Sequence, residues 1–86
     1  MLIVLKDIDN TLLVFNPDNL VTMINFKTSI GTECCVHLVF TNSNYKELTI
    51  SSNTGAKKLI ELIVKASNGI GHYEIDLENI NDLQDN

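Results

Sequence analysis

Arginine and tryptophan are absent from this 86-residue chain, and proline occurs once, as Pro17. The six basic residues are all lysines: Lys6, Lys27, Lys46, Lys57, Lys58 and Lys65. Nucleic-acid binding draws most of its affinity from Lys and Arg on phosphates, so an arginine-free chain of net charge −5 is a poor fit to it. Long hydrophobic runs are also missing. No uncharged apolar stretch approaches the roughly 20 residues that span a bilayer, so no membrane segment is expected. Cysteine is scarce too. Cys34 and Cys35 are adjacent, and neighbours on a strand point to opposite faces, which disfavours a disulfide between them. A secreted domain this small usually carries more crosslinks. The first residues carry no basic segment followed by a small-residue cleavage site, and no Asn-x-Ser/Thr acceptor occurs. The expected setting is a reducing cytoplasm.

What is present is apolar. Hydrophobic residues make up 44% of the chain and mean hydropathy is +0.09, which argues for a folded domain. The length allows one core, so residues 1–86 are expected to form a single domain. The charge is segregated. Up to Ser67, six acids balance the six lysines. Beyond it come Glu74, Asp76, Glu78, Asp82 and Asp85 with no lysine, so the whole net charge lies in residues 68–86. Such an acidic end repels anionic membranes and suits a basic protein partner. A plain solubilising role also accounts for it.

Hydrophobic periodicity predicts strands over 2–8, 11–15, 20–27, 34–41 and 45–51, as a β-meander over 1–51. Asp9-Asn10 is read as a two-residue turn, Asn16 to Asn19 as a loop and Thr28 to Glu33 as a second loop. Leu20, Thr22, Ile24 and Phe26 are placed on one face of the third strand. Both faces of 34–41 are apolar, which marks a central strand. The period then changes. Ala56, Leu59, Ile60, Ile63 and Ala66 recur at helical spacing, with caps at Ser51 to Thr54 and a stop at Asn68-Gly69, so a helix is predicted over 53–68. Tyr73, Ile75 and Leu77 alternate with acids, predicting a last strand over 72–78, and Asn79 to Asn86 is read as a turn or frayed end. The fold class is therefore α+β: an antiparallel sheet of five to six strands under one helix. That helix is expected to cover Val4, Phe26, Val36, Leu38 and Ile50. The face with Cys35 and Val39 is left over, which points to a curled sheet or a homo-oligomer.

Four groups of residues invite chemistry. Asp7-Ile8-Asp9-Asn10-Thr11 resembles the first motif of the haloacid-dehalogenase superfamily, which would make Asp7 a nucleophile and Asp9 a general acid beside Mg²⁺. That family needs a parallel sheet with long crossovers, whereas here a second strand-like run follows at once. The stretch therefore reads as a hairpin. Cys35 and His37 share a strand face, but Cys34 points away, His72 is distant and no Cys-x-x-Cys spacing occurs, so neither metal nor thiol catalysis is expected. Ser52, Asn53, Thr54 and Gly55 could present backbone N–H groups to an anion, with Lys57 and Lys58 a turn later. Ordinary helix capping explains the same residues. Glu74, Asp76, Glu78, Asp82 and Asp85 form a candidate surface for a protein partner.

The arrangement also resembles the small flagellar FlbD/swarming-motility family. The matching features are the apolar Leu2–Leu5 strand, a hairpin with Asn10, Phe15-Asn16, Leu20 and Ile24, Val39-Phe40-Thr41-Asn42, and Leu48-Thr49-Ile50-Ser51 leading into Leu59-Ile60 and Ile63. The likeness spans about residues 1–66. Thr11 and Ser43 stand where that family has turn glycines, and the strand after Gly69 has no counterpart there. The resemblance implies a non-enzymatic accessory protein acting through protein contacts and assigns no site residues.

Two functions are expected from these features. The first is a non-catalytic interaction protein, self-associating, that binds or inhibits a protein partner. The second is a self-associating protein that sequesters a small nucleotide-type ligand, of the kind phages use against host signalling. Neither needs a cofactor or a metal.

Overall fold

A computed structural model of the chain describes residues 2–27, 34–69 and 72–85. The loop expected over Thr28 to Glu33 lies outside the described residues, as do Met1, Ile70, Gly71 and Asn86. The elements run β1 (Leu2–Lys6), β2 (Leu12–Phe15), a 3-10 turn (Pro17–Asn19), β3 (Leu20–Lys27), β4 (Cys34–Phe40), β5 (Tyr45–Ile50), α1 (Asn53–Ser67), β6 (His72–Asp76) and α2 (Leu77–Asn81). The class is α+β, but the strands form two three-stranded sheets rather than one sheet of five or six. One sheet has the order β2-β1-β6, the other β3-β4-β5.

The expected meander breaks at Pro17. Asn16 Oδ1 accepts from Asp18 N at 2.9 Å and caps the 3-10 turn, with Pro17 in its first position. Proline has no N–H to continue a ladder, so the chain leaves the first sheet here and β3 finds its partner in β4. The vacant side of β1 is taken by β6, which pairs with it in parallel, Ile3 opposite Tyr73 and Leu5 opposite Ile75. The sheets are therefore not purely antiparallel, and β6 closes the fold against the first strand of the chain.

Two hairpins use the same turn. Asp7 N donates to Thr11 O at 2.9 Å and Asn10 N to Asp7 O at 3.0 Å, with Asn10 at φ 68°. Phe40 N donates to Asn44 O at 2.9 Å and Ser43 N to Phe40 O at 3.0 Å, with Ser43 also at φ 68°. Each is a three-residue loop ending on a left-handed residue, longer than the two-residue turn read at Asp9-Asn10. Asp9 Oδ1 accepts from Thr11 N, and Asn42 Oδ1 from Asn44 N, completing matching side-chain turns. Asparagine tolerates the left-handed region; serine does so poorly. Ser43→Gly is expected to raise stability by up to about 1 kcal/mol, since relief of strain at φ 68° outweighs the extra freedom of glycine in the unfolded chain. Urea unfolding measures it; Asn10→Gly should gain less.

A single core lies between the sheets and α1. It takes Ile3, Leu5 and Phe15 from the first sheet, Cys34, Val36, Leu38, Leu48 and Ile50 from the second, and Ala56, Leu59, Ile63 and Ala66 from α1. Phe15 and Phe40 join the sheets edge to face at 5.4 Å. β4 is central, as its two apolar faces require. Val36, Leu38 and Ile50 face the core as expected, but Val4 and Phe26 do not. Val4 lies between the buried Ile3 and Leu5 and so on the opposite face of β1. Phe26 pairs with Cys35, on the face of β4 that turns away from the core. Leu20 also parts from Thr22, Ile24 and Phe26. The β3–β4 register shifts between Leu20 and Thr22, and the bulge at Val21 turns Leu20 toward the core.

The acidic end is ordered rather than frayed. β6 stops at Asp76, whose carboxylate caps α2 by accepting from Glu78 N at 3.0 Å. Leu77 and Ile80 then turn inward at helical spacing and join the core. Residues 81–85 continue along the start of α1.

Candidate functional site

The two regions singled out in the sequence meet at the N-terminus of α1. Ser52 caps the helix, its Oγ accepting from Gly55 N at 3.0 Å and donating to Leu83 O at 2.7 Å. Ser51 N donates to Asn81 Oδ1 at 2.9 Å, and Ser51 Oγ to Asn81 O at 2.8 Å. The carboxylate of Asp85 then takes the place expected for an outside anion. Its Oδ1 accepts from Thr54 N at 2.8 Å and Thr54 Oγ1 at 2.7 Å, and its Oδ2 from Asn53 N at 3.0 Å. The first N–H groups of a helix have no partner within it, and the helix dipole favours negative charge there. Asp85 answers both demands. Gly55 is buried beneath this junction, whereas Lys57 and Lys58 are exposed on α1, Lys58 within 3.7 Å of Glu61.

The electrostatics follow from these bonds. The Thr54 hydroxyl, then the Asn53 and Thr54 N–H groups, hold the Asp85 carboxyl below its ordinary value of 3.8. A carboxylate depressed by folding adds stability above its unfolded pKa, and that contribution is lost as pH falls through the folded value. Carboxyl NMR titration should therefore find Asp85 below 3.8, and Thr54→Val should shift it upward. The same titration should show Asp9 lowered by its bonds to Thr11.

The candidate partner surface divides. Asp76 and Asp85 are engaged as helix caps, and Glu74 lies 3.3 Å from His72 Nε2. Glu78 and Asp82 are exposed, four residues apart on one side of α2 and its cap. Glu74 and Asp76 border a groove on the outer face of the first sheet, lined also by Val4, Lys6, Leu12 and Asn79. On that same face the apolar side chains of Leu2, Leu12 and Val14 stand 49%, 59% and 52% exposed. No reading of periodicity found this strip. Its signal was the run Leu12-Leu13-Val14-Phe15, which is apolar on both faces of a strand too short to be covered twice.

Asp7 Oδ1 accepts from Ile8 N at 2.7 Å and Asp9 Oδ1 from Thr11 N at 3.0 Å, so both carboxylates serve the first hairpin turn. Cys35 is buried on the outer side of β4, and His37 lies two residues on. The His37 ring sits between Phe26 at 4.7 Å and Tyr45 at 5.0 Å. Its Nε2 is 3.2 Å from Glu47 Oε1, a close contact without the alignment of a hydrogen bond. This aromatic stack was not foreseen; it arises because Phe26, His37 and Tyr45 occupy one face of three adjacent strands. Among the described residues, no group of three or more His, Cys, Asp or Glu side chains is placed to hold a metal ion. Among the same residues, no helix is long and apolar enough to cross a membrane. Comparison with known protein families, with curated proteins and with solved structures finds no match.

Proposed function

We propose that this chain is a non-catalytic interaction protein that binds or inhibits a protein partner, acting as a homo-oligomer. The observation that carries the reading is the outer face of the first sheet. There an apolar strip of Leu2, Val4, Leu12 and Val14 runs beside the carboxylates of Glu74 and Asp76. Uncovered apolar strips rimmed by charge are the mark of contact surfaces. Glu78 and Asp82 extend the negative charge onto α2. A partner segment with both basic and apolar side chains matches this pattern, its charges steering encounter and its apolar groups supplying affinity. The reading of a sequestered small anionic ligand is less favoured, because the Ser52–Gly55 anchor on which it rests is already bonded to Asp85 and Leu83.

The test separates binding from folding. Glu74→Gln, Glu78→Gln and Asp82→Asn together remove charge from the exposed strip and leave the capping carboxylates Asp76 and Asp85 in place. Affinity capture from native extract, compared quantitatively with the unaltered protein, should lose a specific partner. Retention of every captured protein would refute the reading.

A further inference from the structure

We infer that the edge of β3 is a self-association surface, where a second copy of this chain adds its own β3 antiparallel. The inference rests on the homo-oligomer reading and gives it a place. Among the described residues, two three-stranded sheets offer four outer strands: β2, β6, β3 and β5. Outer strands present unpaired backbone N–H and C=O groups, and proteins that stay monomeric blunt them by shortness or charge. β2 has only four residues. β6 carries Glu74 and Asp76, and β5 carries Lys46 and Glu47. β3 has eight residues, and no charge occurs from Leu20 to Phe26.

Side chains along this edge are uncovered in the single chain. Val21 is 63% and Ile24 46% exposed, and Val64 of α1 stands beside the groove that Val21 and Thr22 line. A charged partner strand would leave its charges opposite this uncharged row. A second β3 would not, and its own open edge has the same length and lacks the same cover, so one pairing covers both edges, which selects a copy of the chain as the occupant. Antiparallel pairing of identical strands is self-complementary under a two-fold axis.

The register follows from the bulge. Regular pairing on β3 runs from Thr22 to Lys27, and the part of it that is free of charge is Thr22 to Phe26. Centring it places Ile24 against Ile24 of the second copy and Thr22 against Phe26. Lys27 then falls opposite Val21, and the two lysines lie at opposite ends of the seam. The product is one six-stranded sheet, with the Phe26, His37 and Tyr45 stack repeated on either side of the axis.

Size-exclusion chromatography with light scattering tests this on the whole chain. The expected mass is about 19 kDa, twice the 9.6 kDa of one chain, on a concentration-dependent equilibrium. Ile24→Lys sets two lysines against each other on the axis and should return the single-chain mass. Thr49→Lys, exposed on β5, should leave the dimer intact. Amide exchange supplies the second readout: raising concentration about a hundredfold should slow exchange within Thr22 to Phe26 roughly tenfold or more and leave β5 unchanged. A dimer that survives Ile24→Lys, with no change of exchange in β3, would overturn this placement while leaving self-association standing. A single-chain mass at every concentration would overturn both, without touching the partner surface on the first sheet.

Discussion

Gly55→Ala should destabilise the protein by about 1–3 kcal/mol, although alanine is the better helix former by about 1 kcal/mol. The reason is space. A Cβ on Gly55 would come within 2.9 Å of both Ile50 Cγ2 and Ile80 O, and 3.2 Å of Ser52 Oγ. The isoleucine methyl could rotate, but the Ile80 carbonyl is backbone and moves only if α2 moves. The alanine would thus push apart the junction of β5, α1 and α2. Steric cost exceeds the gain in propensity, and the melting temperature of a domain this size should fall by roughly 5–20 °C. Lys57→Ala, exposed two residues on, controls for propensity alone and should stay within about 0.5 kcal/mol. If Gly55→Ala were as stable as the parent in urea unfolding, the close packing of the acidic segment on α1 would be wrong.

Leu5→Ala should cost still more. Leu5 is fully buried at the centre of the first sheet, opposite Leu13 on β2 and Ile75 on β6. Truncating such a leucine removes its burial and leaves a cavity, together about 2–5 kcal/mol. A domain of this length has only about 4–13 kcal/mol in all, so much of its margin goes. Leu12→Ser provides the contrast. Leu12 faces outward from β2, and its loss should change stability by no more than about 0.5 kcal/mol. The difference between the two reports which face of the sheet is the core. Equal effects in denaturant melts would contradict the register of β1 with its neighbours.

How far these features could be read from sequence depends on how local their causes are. α1 was legible because its stripe from Ala56 to Ala66, its Ser52 cap and its Asn68-Gly69 stop all lie within one segment. The central place of β4 was legible for the same reason, since both of its faces are apolar. The parallel pairing of β1 with β6 was not. It joins strands separated by most of the chain, and nothing in Leu2–Lys6 records which distant strand will fill its open side. A single residue misled the reading of β3, because the Val21 bulge resets a period-two pattern that continues unbroken in the sequence. α2 was hidden by coincidence. Leu77 continues the alternation of Tyr73 and Ile75, but it is the first residue of a helix whose other buried position is Ile80.

The candidate site was legible in its parts and not in their relation. The helix start at Ser52 to Gly55 and the acids from Glu74 to Asp85 were both visible as patterns. That Asp85 bonds to the start of α1, and so separates capping acids from the rest, depends on the path taken by residues 77–85. Of the five acids, Asp76 and Asp85 thus accept backbone N–H groups at helix starts, Asp85 while itself exposed, and Glu74, Glu78 and Asp82 are exposed acids that cap neither helix.

One paired measurement tests that division of the acids: thermal melting and quantitative affinity capture of two variants side by side. Asp76→Ala with Asp85→Ala is expected to lower the melting temperature, because alanine accepts none of the Glu78, Asn53 and Thr54 N–H groups. Glu74→Gln with Glu78→Gln and Asp82→Asn is expected to leave the melting temperature unchanged and to lose a specific partner. Equal melting losses in the two variants, or full retention of partners by the second, would contradict it.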